Sequence, residues 1–246
     1  MNKPDKKLWQ GIAPDAQALL RTREYSSTRL ADRLRDSGVE THELLSADRK
    51  ELKSSWIPGV EIFARTVHAQ PYRGVFGEFV RRDEGVLQEI GLWPVQWAAA
   101  RMFAGTAKGF HIHPPSIPDG RDPEEWFADL FIKAGAKSSA RPYEKEQWDV
   151  IFFVQGRVEV LLRDARAGME KRVMRFFVDG DNRRGRNNAG VVVPAGVAHA
   201  MRVEGNEDVI MVYGTSTSFH PEFEGRIASE VETAALPESW TSFLKA

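Results

Sequence analysis

Lys108-Gly109-Phe110-His111-Ile112-His113-Pro114-Pro115 is a strand-like run that carries two histidines one residue apart and stops at two prolines. Alternate side chains of an extended chain share a face, so His111 and His113 project to one side and Ile112 to the other. Two imidazoles on one face can hold a metal, move a substrate proton or sit on a polar surface. The surrounding sequence has to choose among these uses.

From Val60 onward the chain consists of short β-prone segments separated by Gly, Pro, Asp and Asn, the texture of a sandwich or barrel rather than of a parallel α/β sheet. Ten strands are expected, at 60–66, 74–79, 95–103, 109–113, 150–154, 157–163, 173–178, 190–193, 199–203 and 208–215. The fifth and sixth meet at Gln155-Gly156, which predicts a β-hairpin. Ahead of them, residues 14–38 read as a helix with Leu19, Leu20, Leu30 and Leu34 at one-face spacing and Gly38 as its stop. A second helix runs from Ser46, its N-cap, to about Ser55. The expected organisation is a helical N-terminal extension over 1–56, to which no chemistry is assigned, and an all-β domain over 57–246. Residues 114–147 form an insertion with a helical piece at about 122–133, where Trp126, Phe127, Leu130 and Phe131 supply an apolar face. Its place directly after the histidines makes it a candidate lid.

The chain balances 34 basic against 35 acidic residues, so no whole-protein field draws nucleic acid or an anionic membrane. Arg183-Arg184-Gly185-Arg186 reads as solvated turn charge. Without cysteine there are no disulfides, and a metal site has to be built from His, Asp and Glu. The first seven residues lack the apolar run of a signal peptide, and no stretch has the length of a membrane span, so a soluble, cytoplasmic protein is expected.

Two further stretches bear on the histidine pair. Asp149 opens the apolar strand that runs to Gly156, and a carboxylate at the start of a buried strand needs a compensating charge, which a cation supplies. Downstream, Val191-Val192-Val193-Pro194-Ala195-Gly196-Val197-Ala198-His199 ends a strand in a Pro-x-Gly turn and delivers one more histidine.

His111-x-His113, Asp149 seven positions before Gly156, and Pro194-x-Gly196-x-x-His199 together resemble the two motifs of the cupin superfamily, with Gly105 near the place of the leading glycine. The resemblance implies a double-stranded β-helix, or jelly roll, and a divalent metal (Fe, Mn, Ni, Co or Zn) on His111, His113, Asp149 and His199. Asp in place of the motif's Glu and the long insertion depart from the pattern. A more particular resemblance covers roughly residues 60–240. Tyr72-Arg73-Gly74-Val75-Phe76-Gly77-Glu78, Gln96, Lys108-Gly109-x-His111, Pro194-x-Gly196-x-x-His199 and Tyr213 are similar in kind and order to the dTDP-4-dehydrorhamnose 3,5-epimerase family, of the RmlC-like cupins. It implies His111 as the base that removes protons beside a sugar ketone and Tyr213 as the acid on the other face, with Arg73, Glu78, Gln96 and Lys108 binding a sugar or sugar nucleotide. A proton α to a carbonyl needs both groups. It also implies a homodimer.

The departures concern the site itself. The family's Gln two residues after its base is His113 here, and its lysine, which would stabilise an enolate, falls at Asp149. The aspartate that orients the family's histidine has no counterpart before the C-terminal Ser242-Phe243-Leu244-Lys245-Ala246. Two lost catalytic features are thus replaced by metal-ligand types. The expected function is a sugar-processing epimerase or isomerase with a divalent metal site. A metal-dependent oxidoreductase of dioxygenase type and a non-catalytic sugar-binding cupin are the alternatives. His111 is contested, since a metal-bound imidazole is not a free base. Elsewhere His68 and His220 read as surface loop residues, His42 as part of the extension, and Trp93, Trp97 and Trp148 as core or pocket wall.

Overall fold

The computed structural model describes residues 56–113, 122, 147–166, 169–170, 172–184, 187–219 and 225–226. The expected helices at 14–38 and 46–55, His42, His220 and nearly all of the 114–147 insertion lie outside the described residues. Among the described residues the strands are β1 (Glu61–Ala64), β2 (Val67–Gln70), β3 (Gly74–Gly77), β4 (Gln96–Met102), β5 (Ala107–Ile112), β6 (Asp149–Gln155), β7 (Arg157–Asp164), β8 (Val173–Asp179), β9 (Ala189–Val193), β10 (Val197–Val203), β11 (Val209–Thr215) and β12 (Gly225–Arg226), with one short helix, α1 (Val86–Glu89). All ten expected strands are present within a few residues of their expected ends. The sequence reading missed the short β2 and β12 and the single turn of α1; His68 therefore sits on a strand, exposed, rather than in a loop.

Two five-stranded antiparallel sheets face each other, in the orders β1-β9-β6-β11-β4 and β12-β5-β10-β7-β8, and β2 and β3 form a separate two-stranded ribbon. Their inner faces share one apolar core, to which β6 gives Ile151 and Phe153, β7 gives Val158, Val160 and Leu162, and β10 gives Val197, Met201 and Val203. The opposite face of β6 is apolar as well. Val150 and Phe152 pack with Leu87, Leu92 and Trp148 in a second layer outside the sheet, joined by Phe63, Phe79 and Ile90. Burial on both faces explains why this strand reads as an unbroken apolar run instead of an alternating one.

The expected hairpin at Gln155-Gly156 is not one. β6 and β7 belong to different sheets, so the turn is a corner that carries the chain across the sandwich. Each strand pairs on both sides within its own sheet, β6 with β9 and β11, β7 with β8 and β10. Gly156 takes φ 81° at the corner, and a Cβ there would lie 2.6 Å from the Asp208 carbonyl oxygen. Its amide donates to Asn182 Oδ1 at 2.9 Å and its carbonyl accepts from Gly180 at 2.7 Å. Gly156→Ala is expected to cost about 1–3 kcal/mol through left-handed strain and this close contact. A thermal melt followed by circular dichroism should show a midpoint lower by several degrees.

Candidate functional site

Three backbone features converge the polar side chains on one end of the sandwich. First, β5 and β10 pair His111 with His199 and Lys108 with Met201, so Ala200 stands opposite both Gly109 and Phe110. That bulge breaks the alternation and turns Lys108, three residues from His111, toward the same cavity. Second, the carbonyl of His113 accepts the Gly196 amide at 2.6 Å, and Gly196, with φ 77°, makes the turn after Pro194 possible. The His-x-His run and the Pro-x-Gly turn are thereby clamped together. Third, Asp149 lies in register between Val193 of β9 and Thr215 of β11, at the same end of the facing sheet.

The result is a cavity of about 320 Å³ whose walls include Gln96, Lys108, His111, His113, Gln147, Asp149, His199, Tyr213 and Thr215, with Phe219 at its edge. Seven of the residues singled out from the sequence meet there. Arg73 and Glu78 do not line it. Arg73 is exposed in the turn from β2 to β3, where its amide donates to Gln70. Glu78 is held by Arg81 and faces a different cleft, beside Phe63, Arg65 and Leu87. Among the tryptophans, Trp148 is buried in the second apolar layer, while Trp97 is 41% exposed and is not core.

His113, Asp149 and His199 form the tight centre. All three are buried, and one potential ligand atom of each lies within 4.8 Å of the others. Asp149 Oδ2 is 3.0 Å from His113 Nε2 and 3.6 Å from His199 Nε2. Burial opposes ionisation of Asp149, yet the His113 charge and hydrogen bond, His199 and Gln147 outweigh it and hold the carboxyl at about 2. His199 moves the other way. Burial, followed by the neighbouring imidazoles, pulls it down to about 3 against the attraction of Asp149, so it is neutral at pH 7. Its Nδ1 lies 3.3 Å from the Val197 carbonyl oxygen, which can only accept, so Nδ1 carries the proton. The Nε2 lone pair is then left on the side of the Asp149 carboxylate. An electron-rich nitrogen facing an anion is the arrangement a cation relieves, and a backbone carbonyl fixing the far nitrogen is the usual support of a ligating histidine. Two imidazoles and a carboxylate also form a donor set suited to Fe, Mn, Co, Ni or Zn.

His111 stands beside this group. Its ring lies 5.8 Å from that of His199, against 5.5 Å between the rings of His113 and His199. Tyr213 stands on the opposite sheet, partly packed against the core and partly on the cavity wall. Gln96 accepts the Phe219 amide at 2.7 Å, tying the chain after β11 to the rim.

Gln147 and Thr217 escaped the sequence reading. Gln147 Nε2 lies 2.9 Å from Asp149 Oδ1 and 3.2 Å from His113 Nε2, and its Oε1 accepts from Thr217 Oγ1 at 2.8 Å. A signal existed: positions 147 and 149, like 213, 215 and 217, share a face by the two-residue period of extended chain.

No protein-family model matches the chain. The spore coat polysaccharide biosynthesis protein SpsL of Bacillus subtilis (strain 168) is 27% identical over 180 residues, which span 72% of this chain and 93% of that protein. Among solved structures, dTDP-6-deoxy-D-glucose-3,5-epimerase RmlC of Legionella pneumophila Philadelphia 1, in complex with dTDP-4-keto-L-rhamnose, aligns over 76% of this chain and 87% of that one, with a TM-score of 0.50 and 18% identity. A dTDP sugar isomerase from Desulfovibrio desulfuricans G20 aligns over 68% and 83%, with a TM-score of 0.49 and 12% identity. The likeness to the Legionella enzyme shows the fold, a jelly roll of two facing antiparallel sheets.

Proposed function

We propose that the protein is an epimerase or isomerase that acts beside the ketone of a sugar or sugar nucleotide, with His111 as base and Tyr213 as acid. The observation that carries this reading is that His111 and Tyr213, on facing sheets, line one cavity. On this reading the two roles that compete for His111 in the sequence would be divided, the metal on His113, Asp149 and His199 and the base on His111. His111 comes from one sheet and Tyr213 from the other, which suits removal of a proton on one face of a sugar carbon and delivery on the opposite face. The named activities of the Legionella and Desulfovibrio proteins, and the polysaccharide role of the Bacillus protein, are consistent with it.

His113, Asp149 and His199 would hold a divalent transition metal, which supplies Lewis-acid polarisation of the sugar carbonyl. That charge would stand where the family resemblance calls for a lysine and this chain has Asp149. Lys108 and Gln96 would orient the sugar from the cavity wall. Exposed Val75 and Phe76 on the β2–β3 ribbon support a homodimer, and the absence of a long apolar helix among the described residues is compatible with a cytoplasmic protein.

A second reading is favoured by the 3.0 Å contact between His113 and Asp149, which without metal is a hydrogen-bonded His–Asp pair. Two measurements on protein purified without a metal-affinity step separate the readings. Elemental analysis is expected to find one transition metal per chain, and the protein is expected to exchange solvent deuterium into a 4-keto sugar nucleotide. Equal exchange by metal-stripped protein would sink the metal role; no exchange with or without metal would sink the epimerase reading.

A further inference from the structure

We infer that Gln147 is a positioning residue that selects which oxygen of Asp149 faces the two imidazoles. The inference rests on the proposed metal role of His113, Asp149 and His199.

Gln147 is buried just ahead of β6, with its side chain on the same side as that of Asp149. An ionised carboxylate only accepts hydrogen bonds, so the amide nitrogen must point to Asp149 and the amide oxygen to Thr217. The distances agree, 2.9 Å from Nε2 to Asp149 Oδ1 and 2.8 Å from Thr217 Oγ1 to Oε1. Thr217 is itself fixed, because its carbonyl accepts the Thr215 hydroxyl at 2.6 Å. A chain of three hydrogen bonds therefore runs from β11 to a single oxygen of Asp149. The other oxygen, Oδ2, is the one that lies near His113 and His199.

The same geometry contains a conflict. His113 Nε2 is 3.0 Å from the carboxylate and 3.2 Å from the Gln147 amide nitrogen. Protonated, it can donate to Asp149 but meets the amide's donors; unprotonated, it can accept from Gln147 but faces the carboxylate's lone pairs. With Asp149 ionised, no placement of the proton on His113 satisfies both contacts. A cation shared by His113, Asp149 and His199 removes the mismatch at the carboxylate, and Gln147 then has one task, to hold Oδ1. Bonds of this outer kind commonly contribute about 10–100-fold to metal affinity.

Co(II) titration of the metal-stripped full chain, followed by calorimetry and the visible absorption of the bound ion, tests this. Gln147→Met keeps much of the side chain's volume without its donors, and Gln147→Glu keeps an oxygen but adds a second negative charge. Both are expected to bind Co(II) about 10–100-fold more weakly than the unaltered chain and with a changed spectrum. Thr217→Val, at a half-buried position that is not a ligand, should weaken binding in the same direction by less, and it keeps the test decisive where a Gln147 variant folds poorly. Unaltered affinity and spectrum in Gln147→Met, or in Thr217→Val where that variant stands in for it, would overturn the inference while leaving the metal role standing. Failure of the unaltered chain to bind Co(II) would overturn the metal role and the inference together.

Discussion

His111→Asn is expected to lower the rate of deuterium exchange into a 4-keto sugar nucleotide by about 10²–10⁴-fold, the range for loss of a positioned general base. Metal content should stay at one ion per chain. Asparagine keeps a polar side chain of similar reach in the cavity wall but has no basic nitrogen near neutral pH. The proposed assignment predicts the split result, because it places the metal on His113, Asp149 and His199 and the base on His111. Loss of metal along with exchange would make His111 a ligand and remove it as base. Tyr213→Phe supplies a complementary readout. A base can remove a proton and return a deuteron on the same face, so that variant should continue to exchange while inverting the sugar carbon far more slowly. Loss of exchange and inversion in equal measure would mean that Tyr213 shapes the cavity instead of delivering the proton.

The fold was legible where the local pattern and the tertiary result obey the same rule. Strands such as β10 and β11 carry β-branched residues bounded by turn signals, and their ends lie close to the expected ones. The corner at Gly156 was misread because a permissive glycine between two apolar runs is equally compatible with a hairpin and with a crossing between sheets. Only the partners of β6 and β7 distinguish the two, and those partners are far away in sequence. The meeting of seven of the named residues in one cavity was legible in residue types and spacing. Strand alternation makes His111 and His113 equivalent. The structure adds the hydrogen bond by which the His113 carbonyl accepts the Gly196 amide, a long-range contact that local pattern does not show. Lys108 reached the cavity through the bulge opposite Ala200, against simple alternation. Arg73 and Glu78 belong to a motif whose order matches the epimerases, yet they lie on the ribbon and the loop after it, apart from the cavity their motif suggested.

Asp149→Asn tests the other half of the site and should give the mirror image of the His111 result. The substitution keeps the shape of the side chain and removes its charge. Two neutral imidazoles remain, and affinity should fall by more than the roughly 10–100-fold typical of losing an outer partner, leaving purified protein without stoichiometric metal. In thermal melts, added metal at about 100 times its Kd stabilises a binding protein by about 2.7 kcal/mol, so the unaltered chain should gain several degrees and the variant none. Turnover should drop by about 10²–10³-fold, the effect of losing one element of electrostatic stabilisation at a developing negative charge. His111 is untouched by the change, so slow exchange should persist. The charge argument decides the interpretation. An isolated Asp149 carboxylate would oppose a negatively charged enolate, and its removal from a metal-free site would then leave turnover unchanged or raise it. A fall in turnover together with loss of metal means that Asp149 acts through the cation it holds. A fall in turnover from protein that never contained metal means that Asp149 acts through His113, as the carboxylate of a His–Asp pair.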